Sequence, residues 1–249
     1  IDRKKNLLTA KILAKQLEGQ EKTLQNNLPD SIAKVVQGKK ILLWQKLLEQ
    51  NGYDDMEVVQ FMTEGVPLVG THDHPKCYPL KIKLASTTEE ELRDSAVPCR
   101  LALENRRPQT DAPGFAQHLE ETAQEEVDMS FLEGPYHSAA AVTEALGHSN
   151  WRIMRRFVIE QGAKLRPIDD GLEAQLNSAY TSTIRLDLQD ADYVIALTLE
   201  LGKTKGFDWV GKTLDLSKAY KQLSIKPSHR DLAVVFFRDQ QGNARYYIP

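Results

Sequence analysis

The sequence predicts an α+β fold, helical at its start and strand-rich toward its end. Three observations carry that reading. Apolar residues recur at helical spacing in the early part of the chain. Past Trp151, two strand-like runs flank the short pair Gly162-Ala163, which is a hairpin pattern. Within Asp231–Arg238, residues 232–237 are then apolar at odd and even positions alike, as in a strand buried on both faces.

The elements follow in order. Leu7, Leu8, Lys11, Ile12 and Lys15 keep helical spacing, as do Ile41, Trp44, Leu47 and Leu48. Arg3, Lys4, Lys5, Lys11, Lys15, Lys34, Lys39, Lys40 and Lys46 make this region basic, and a solvated helix face accounts for them. Thr87 or Thr88, with Glu90 or Glu91 three residues on, predicts a capping box opening one helix through Leu92, Ala96 and Leu101. Residues 106–114, polar with two prolines and a glycine, read as a linker. Glu120, Glu121, Glu125, Glu126 and Asp128 form an acidic helical face that phosphate avoids. Ser138 to Leu146 is a short helix that Gly147 closes.

From Trp151 the character changes. Arg152, Arg155, Arg156, Lys164 and Arg166 gather positive charge around the runs Arg156–Gln161 and Lys164–Asp169. Cations on a stiff hairpin suit a triphosphate better than cations on a loop. Asp187 to Lys203 reads as a helix, residues 213–216 as a strand and 217–223 as a helical turn. Asp231–Arg238 is the buried strand, Gln241-Gly242-Asn243 the turn, and Arg245–Ile248 its antiparallel return.

Composition bounds the function. The chain has 249 residues, 41% of them hydrophobic and 27% charged, which suffices for a sizeable core. No apolar run reaches membrane-span length, so no membrane partner is expected. Two cysteines, Cys77 and Cys99, are too few for a disulfide framework, and an intracellular site, cytoplasmic or nuclear, is expected. A net charge of −3 excludes a wholly basic nucleic-acid coat. The start at Ile1 and the stop inside the apolar run Tyr246-Tyr247-Ile248-Pro249 read as a fragment of a longer polyprotein.

The most informative stretch is Leu214-Asp215-Leu216-Ser217-Lys218-Ala219-Tyr220. An aspartate closing an apolar run is suited to hold Mg²⁺, which prefers one or two carboxylates completed by substrate phosphates. Tyr220, five residues on, is close enough in sequence to pack against the sugar of the same nucleotide.

In order and spacing, Lys164-Leu165-Arg166-Pro167-Ile168-Asp169-Asp170, a helix, Asp215 to Tyr220 and a hairpin ending Tyr-Ile-Pro resemble the fingers and early palm of retroelement reverse transcriptases. Phe131-Leu132-Glu133-Gly134-Pro135-Tyr136 resembles their lead-in segment. The resemblance covers residues 127–249 and leaves 1–126 as a mostly helical region of unknown role. It implies the fingers and partial palm of a right-hand polymerase: a fragment of an RNA-directed DNA polymerase, the whole enzyme transferring nucleotides to a primer 3′-hydroxyl and the fragment alone being inactive. It implies Asp215 as catalytic metal ligand with the Leu216 carbonyl beside it, Tyr220 as the gate against a 2′-hydroxyl, and Arg166 with Lys164 as triphosphate contacts. Lys218 departs from members that carry an acid there, and takes no role. The implied partners are an RNA or DNA template-primer and deoxynucleoside triphosphates. The implied cofactor is Mg²⁺ or Mn²⁺, with the two-metal site only in the complete polymerase, because the later paired-aspartate motif is absent here. The alternative is a retroelement-derived nucleic-acid-binding or structural module without catalysis.

Two other motifs are weaker. Residues 206–213 fit the phosphate-loop template GxxxxGK[ST], but the strand and helix around it are expected in the wrong order. His72-Asp73-His74-Pro75-Lys76-Cys77, with Cys99, lacks a zinc-site spacing and reads as a polar loop.

Overall fold

The computed structural model describes residues 3–106, 112, 114–186, 190–203, 215–216 and 218–249. The fold is α+β, with helices packed around two mixed sheets. Among the described residues no helix is long and apolar enough to cross a membrane.

The chain opens with helices α1 (Arg3–Gln16), α2 (Glu18–Asn26), α3 (Asp30–Val36), α4 (Ile41–Gln50) and α5 (Glu57–Glu64). Ile32, Val36, Ile41 and Met62 bury together and hold α3, α4 and α5 to one another. On α1 the apolar stripe faces water instead: Leu7, Leu8 and Ile12 are exposed along with its lysines. Gly65 ends α5 in the left-handed region, with φ of 85°. A Cβ there would sit 2.6 Å from the Lys226 backbone, so only glycine lets Val66 bridge to Ile225.

Strands β1 (Gly70–Thr71) and β2 (Leu80–Lys83) flank β6 (Tyr180–Ile184) in a three-stranded sheet. Helix α6 (Glu89–Asp94) begins at the capping box: Thr88 Oγ1 accepts from Glu91 N, and Glu91 Oε2 accepts from Thr88 N. The single helix expected from there is two. Ser95 returns its hydroxyl to the Glu91 carbonyl, and the helix restarts as α7 (Ala96–Glu104). Of the expected linker, residues 107–111 and 113 lie outside the described residues.

The main sheet has the order β3-β8-β7-β4-β5. Its strands are β3 (Glu133–Tyr136), β4 (Ile153–Gln161), β5 (Lys164–Asp169), β7 (Val234–Arg238) and β8 (Ala244–Ile248). The hairpin forms as expected, with Gln161 opposite Lys164, although β4 starts earlier than Arg156. Strand β7 is buried on both faces for a specific reason. Val234 and Phe236 pack with Leu103, Val142 and Trp151, while Val235 and Phe237 pack with Phe115, Leu119 and Ala123. The second layer is supplied by α8 (Phe115–Asp128), and the first by α7 and α9 (Ala139–Leu146). Ser138 caps α9 and Gly147, with φ of 75°, stops it. Residue 126 lies within α8, and β1 and β2 pair with β6, so both parts of the chain share elements.

Two boundaries differ from expectation. Asp231 and Leu232 belong to a 3-10 turn, Pro227–Leu232, instead of the strand, because Asp231 is drawn into contacts with Arg93 and His148. Asp215 and Leu216 are not in a strand either, and residues 213 and 214 lie outside the described residues. The expected helical turn is the 3-10 turn Ala219–Gln222, and the expected helix is α10 (Ala191–Gly202), capped by Asp190.

Candidate functional site

Five cations were placed by sequence around the hairpin; the fold uses three of them internally. Arg152 is fully buried and donates to the Leu92 and Ala174 carbonyls, Cys99 Sγ and Gln175 Oε1. Arg155 grips Glu173 through Nε and Nη2, at 2.6 and 2.7 Å. Arg156 donates to both Asp169 oxygens, at 2.6 and 2.9 Å, and to Glu126 Oε2 at 2.9 Å. Burial alone lowers the Arg156 pKa, but Asp169 and Glu126 reverse that and hold it above its ordinary value.

Lys164 and Arg166 remain exposed, and their side chains make no hydrogen bond or ion pair with another described residue. They stand on β5, one of the two edge strands of the sheet. Strand alternation puts the two on one face and Asp169, directly opposite Arg156, on the other. On that other face, Lys221 Nζ reaches Glu126 Oε2 at 2.9 Å and Asp169 Oδ2 at 3.9 Å. Glu126, Arg156, Asp169 and Lys221 are thus a charge-balanced cluster drawn from α8, β4, β5 and the turn Ala219–Gln222. Burial pushes the Asp169 carboxyl up, but Arg156 and then Lys221 outweigh it, and the result lies below the usual carboxylate range.

Tyr220 is 98% exposed and so lies outside the hydrophobic core. It borders a cleft of about 510 Å³ whose walls include Lys34, Phe131, Asp169, Lys221, Arg230 and Pro249. Asp215 and Leu216 are exposed, and the Asp215 carboxylate makes no hydrogen bond or ion pair with another described residue. Lys218, between them and Tyr220, adopts the left-handed conformation with φ of 49°, uncommon for a side chain with a Cβ, and turns the chain into the 3-10 turn. The cleft brings together Tyr220, Lys221 and Asp169. Lys164, Arg166, Asp215 and Leu216 are not among its lining residues.

Among the described residues no three His, Cys, Asp or Glu side chains converge on a metal position. A lone carboxylate such as Asp215 with a neighbouring carbonyl would leave most of a Mg²⁺ shell to phosphate and water oxygens. In the 72–77 segment, His72 Nδ1 meets Glu57 Oε1 at 2.5 Å and His74 Nε2 donates to the Tyr78 carbonyl, which engages one nitrogen of each ring. The phosphate-loop-like stretch 206–213 lies outside the described residues.

Comparisons with protein-family models, curated proteins and solved structures found no match. The site stands on its own residues.

The cluster itself is what sequence reasoning missed. In the sequence Glu126 is one acid of an acidic helical face, yet in the fold it is 6% exposed. A signal was present: Arg156 and Asp169 fall opposite each other once the hairpin is registered on Gly162-Ala163.

Proposed function

We propose that this chain is the fingers and early palm of a reverse transcriptase, an RNA-directed DNA polymerase, and that Lys164, Arg166, Asp215, Leu216 and Tyr220 meet the incoming deoxynucleoside triphosphate. One observation supports this most. The residues that the family resemblance assigns to the nucleotide are exposed and without internal partners among the described residues, while neighbouring charges of the same hairpin are consumed inside. Side chains kept free of the fold are available to a ligand.

Each takes a separate task. Arg166 offers a planar fork to two phosphate oxygens, and Lys164 a point charge. Lys164 and Arg166 lie on the face of β5 opposite Asp169, so a triphosphate shared with Tyr220 has to reach around this edge strand. Tyr220 lays its ring against the sugar, where a 2′-hydroxyl collides. Asp215 and the Leu216 carbonyl hold oxygens toward Mg²⁺, which when bound neutralises charge on the phosphates. Template-primer, the remainder of a polyprotein and the two-metal arrangement belong to the same proposal.

Tyr220→Ala tests it. In a form that carries the later paired-aspartate segment, the variant admits ribonucleotides that the parent rejects, because the 2′-hydroxyl is what separates the two sugars. Equal discrimination by parent and variant removes Tyr220 from the site. A chain that binds nucleic acid in a salt-dependent way, yet never selects a nucleotide, is the non-catalytic module instead.

A further inference from the structure

We propose that Lys221 is a positioning residue: its ammonium ties the Tyr220 segment to the hairpin through the Glu126–Arg156–Asp169 cluster and so fixes where the Tyr220 ring stands relative to β5. The inference rests on the nucleotide reading only for its functional consequence, since the tie itself is a matter of geometry. Tyr220 is 98% exposed, so its ring cannot locate itself by packing. Its position must come from its neighbours along the chain. On one side Lys221 Nζ lies 2.9 Å from Glu126 and 3.9 Å from Asp169. Beyond it, the Gln222 carbonyl accepts from Lys39 Nζ at 3.2 Å, and Leu223 packs against the cluster of Ile32, Val36, Ile41 and Met62.

Charge balance explains why Lys221 is held. Arg156 alone faces two carboxylates, Glu126 and Asp169, with its own side chain 1% exposed and that of Glu126 8%. That leaves one net negative charge in a poorly solvated place. Lys221, half-buried itself, neutralises it, and the attraction is stronger than for a surface pair because Glu126 is buried. Lys218 offers a contrast: it meets Glu125 at 3.4 Å, where Glu125 is 61% exposed, and such a surface pair constrains little. Of the two lysines beside Tyr220, only Lys221 touches the hairpin itself.

The test measures a distance in the full chain. Spin labels are placed at Ala163→Cys, on the hairpin turn, and at Tyr220→Cys, in a Cys77→Ser, Cys99→Ser background whose fold is checked by thermal denaturation. Lys221→Met is expected to broaden the distance distribution by about twofold or more, as a tethered segment becomes a loosely held one. Lys221→Arg is expected to restore it, and Lys218→Met to leave it unchanged. An unchanged distribution in Lys221→Met overturns the proposal, as does equal broadening by Lys218→Met or failure of Lys221→Arg to restore. The second readout is sugar selectivity with Tyr220 present, in a form with the later carboxylate motif. Lys221→Met is expected to lose part of the preference for deoxynucleotides while Lys221→Arg keeps it. A parent with no preference at all counts against the nucleotide reading while the distance result stands. Full preference in Lys221→Met together with an unchanged distance counts against the tie.

Discussion

Arg156 illustrates how a residue chosen for one role by its charge is spent on another by its position. On β4 its side chain turns inward, where a guanidinium survives only by meeting carboxylates, and Glu126 and Asp169 supply them. Its Nη1 has no hydrogen-bond partner among the described residues, so the buried cluster is not fully satisfied there. Replacing Arg156 by Met strands two acids beside one lysine. Urea denaturation is expected to show a loss of about 3–5 kcal/mol, the usual cost of breaking a buried ion pair from one side. A change below about 1 kcal/mol, within the range of surface pairs, would contradict the burial argument.

At the scale of elements, the hairpin is anchored at its base by Asp169 and open at its tip. Asp169 has a folded-state pKa below its unfolded one, so its contribution is present above the unfolded value of about 4 and is lost as pH falls through the folded value. Asp169→Asn is therefore expected to flatten the acid limb of the stability curve below about pH 4 while lowering stability near pH 7. Denaturation midpoints across pH would check this; an unaltered acid limb would place the titrating group elsewhere. Much at this scale was legible in the sequence because its causes are local. The Thr88–Glu91 box, the Ser138 and Gly147 caps, the Gly162-Ala163 turn and the doubly apolar β7 each follow from neighbours a few residues apart. What stayed hidden is long-range. The pairing of β1 and β2 with β6 joins residues about a hundred positions apart and leaves no periodic trace. The break at Ser95 is a local exception: Pro98 has no N–H to give the Asp94 carbonyl, where α6 ends. The interior use of Arg152, Arg155 and Arg156 depends on acids distant in sequence or on backbone carbonyls. For the candidate site, residue type and order were readable, whereas Lys221 and Glu126 became visible only with the packing of α8 against the hairpin.

For the whole molecule, the proposed polymerase needs more metal-binding carboxylate than these residues provide. Phosphoryl transfer of this class places two metals about 3.5–4 Å apart, held by several acids, of which the proposal names Asp215 alone. Residues 1–249 alone are therefore expected to give no primer extension on a primed RNA template with Mg²⁺ and deoxynucleotides; extension above background would refute that. The central claim, that the exposed hairpin cations serve the nucleotide, is tested most directly by Arg166→Ala in a form carrying the later paired-aspartate segment. The Michaelis constant for every deoxynucleotide is expected to rise alike by about 10- to 150-fold, the equivalent of about 1.5–3 kcal/mol for a charged hydrogen bond, with template affinity unchanged. The contrary result is a salt-dependent loss of template binding with nucleotide kinetics intact, which would assign Arg166 to the nucleic-acid groove and withdraw the hairpin from the nucleotide site.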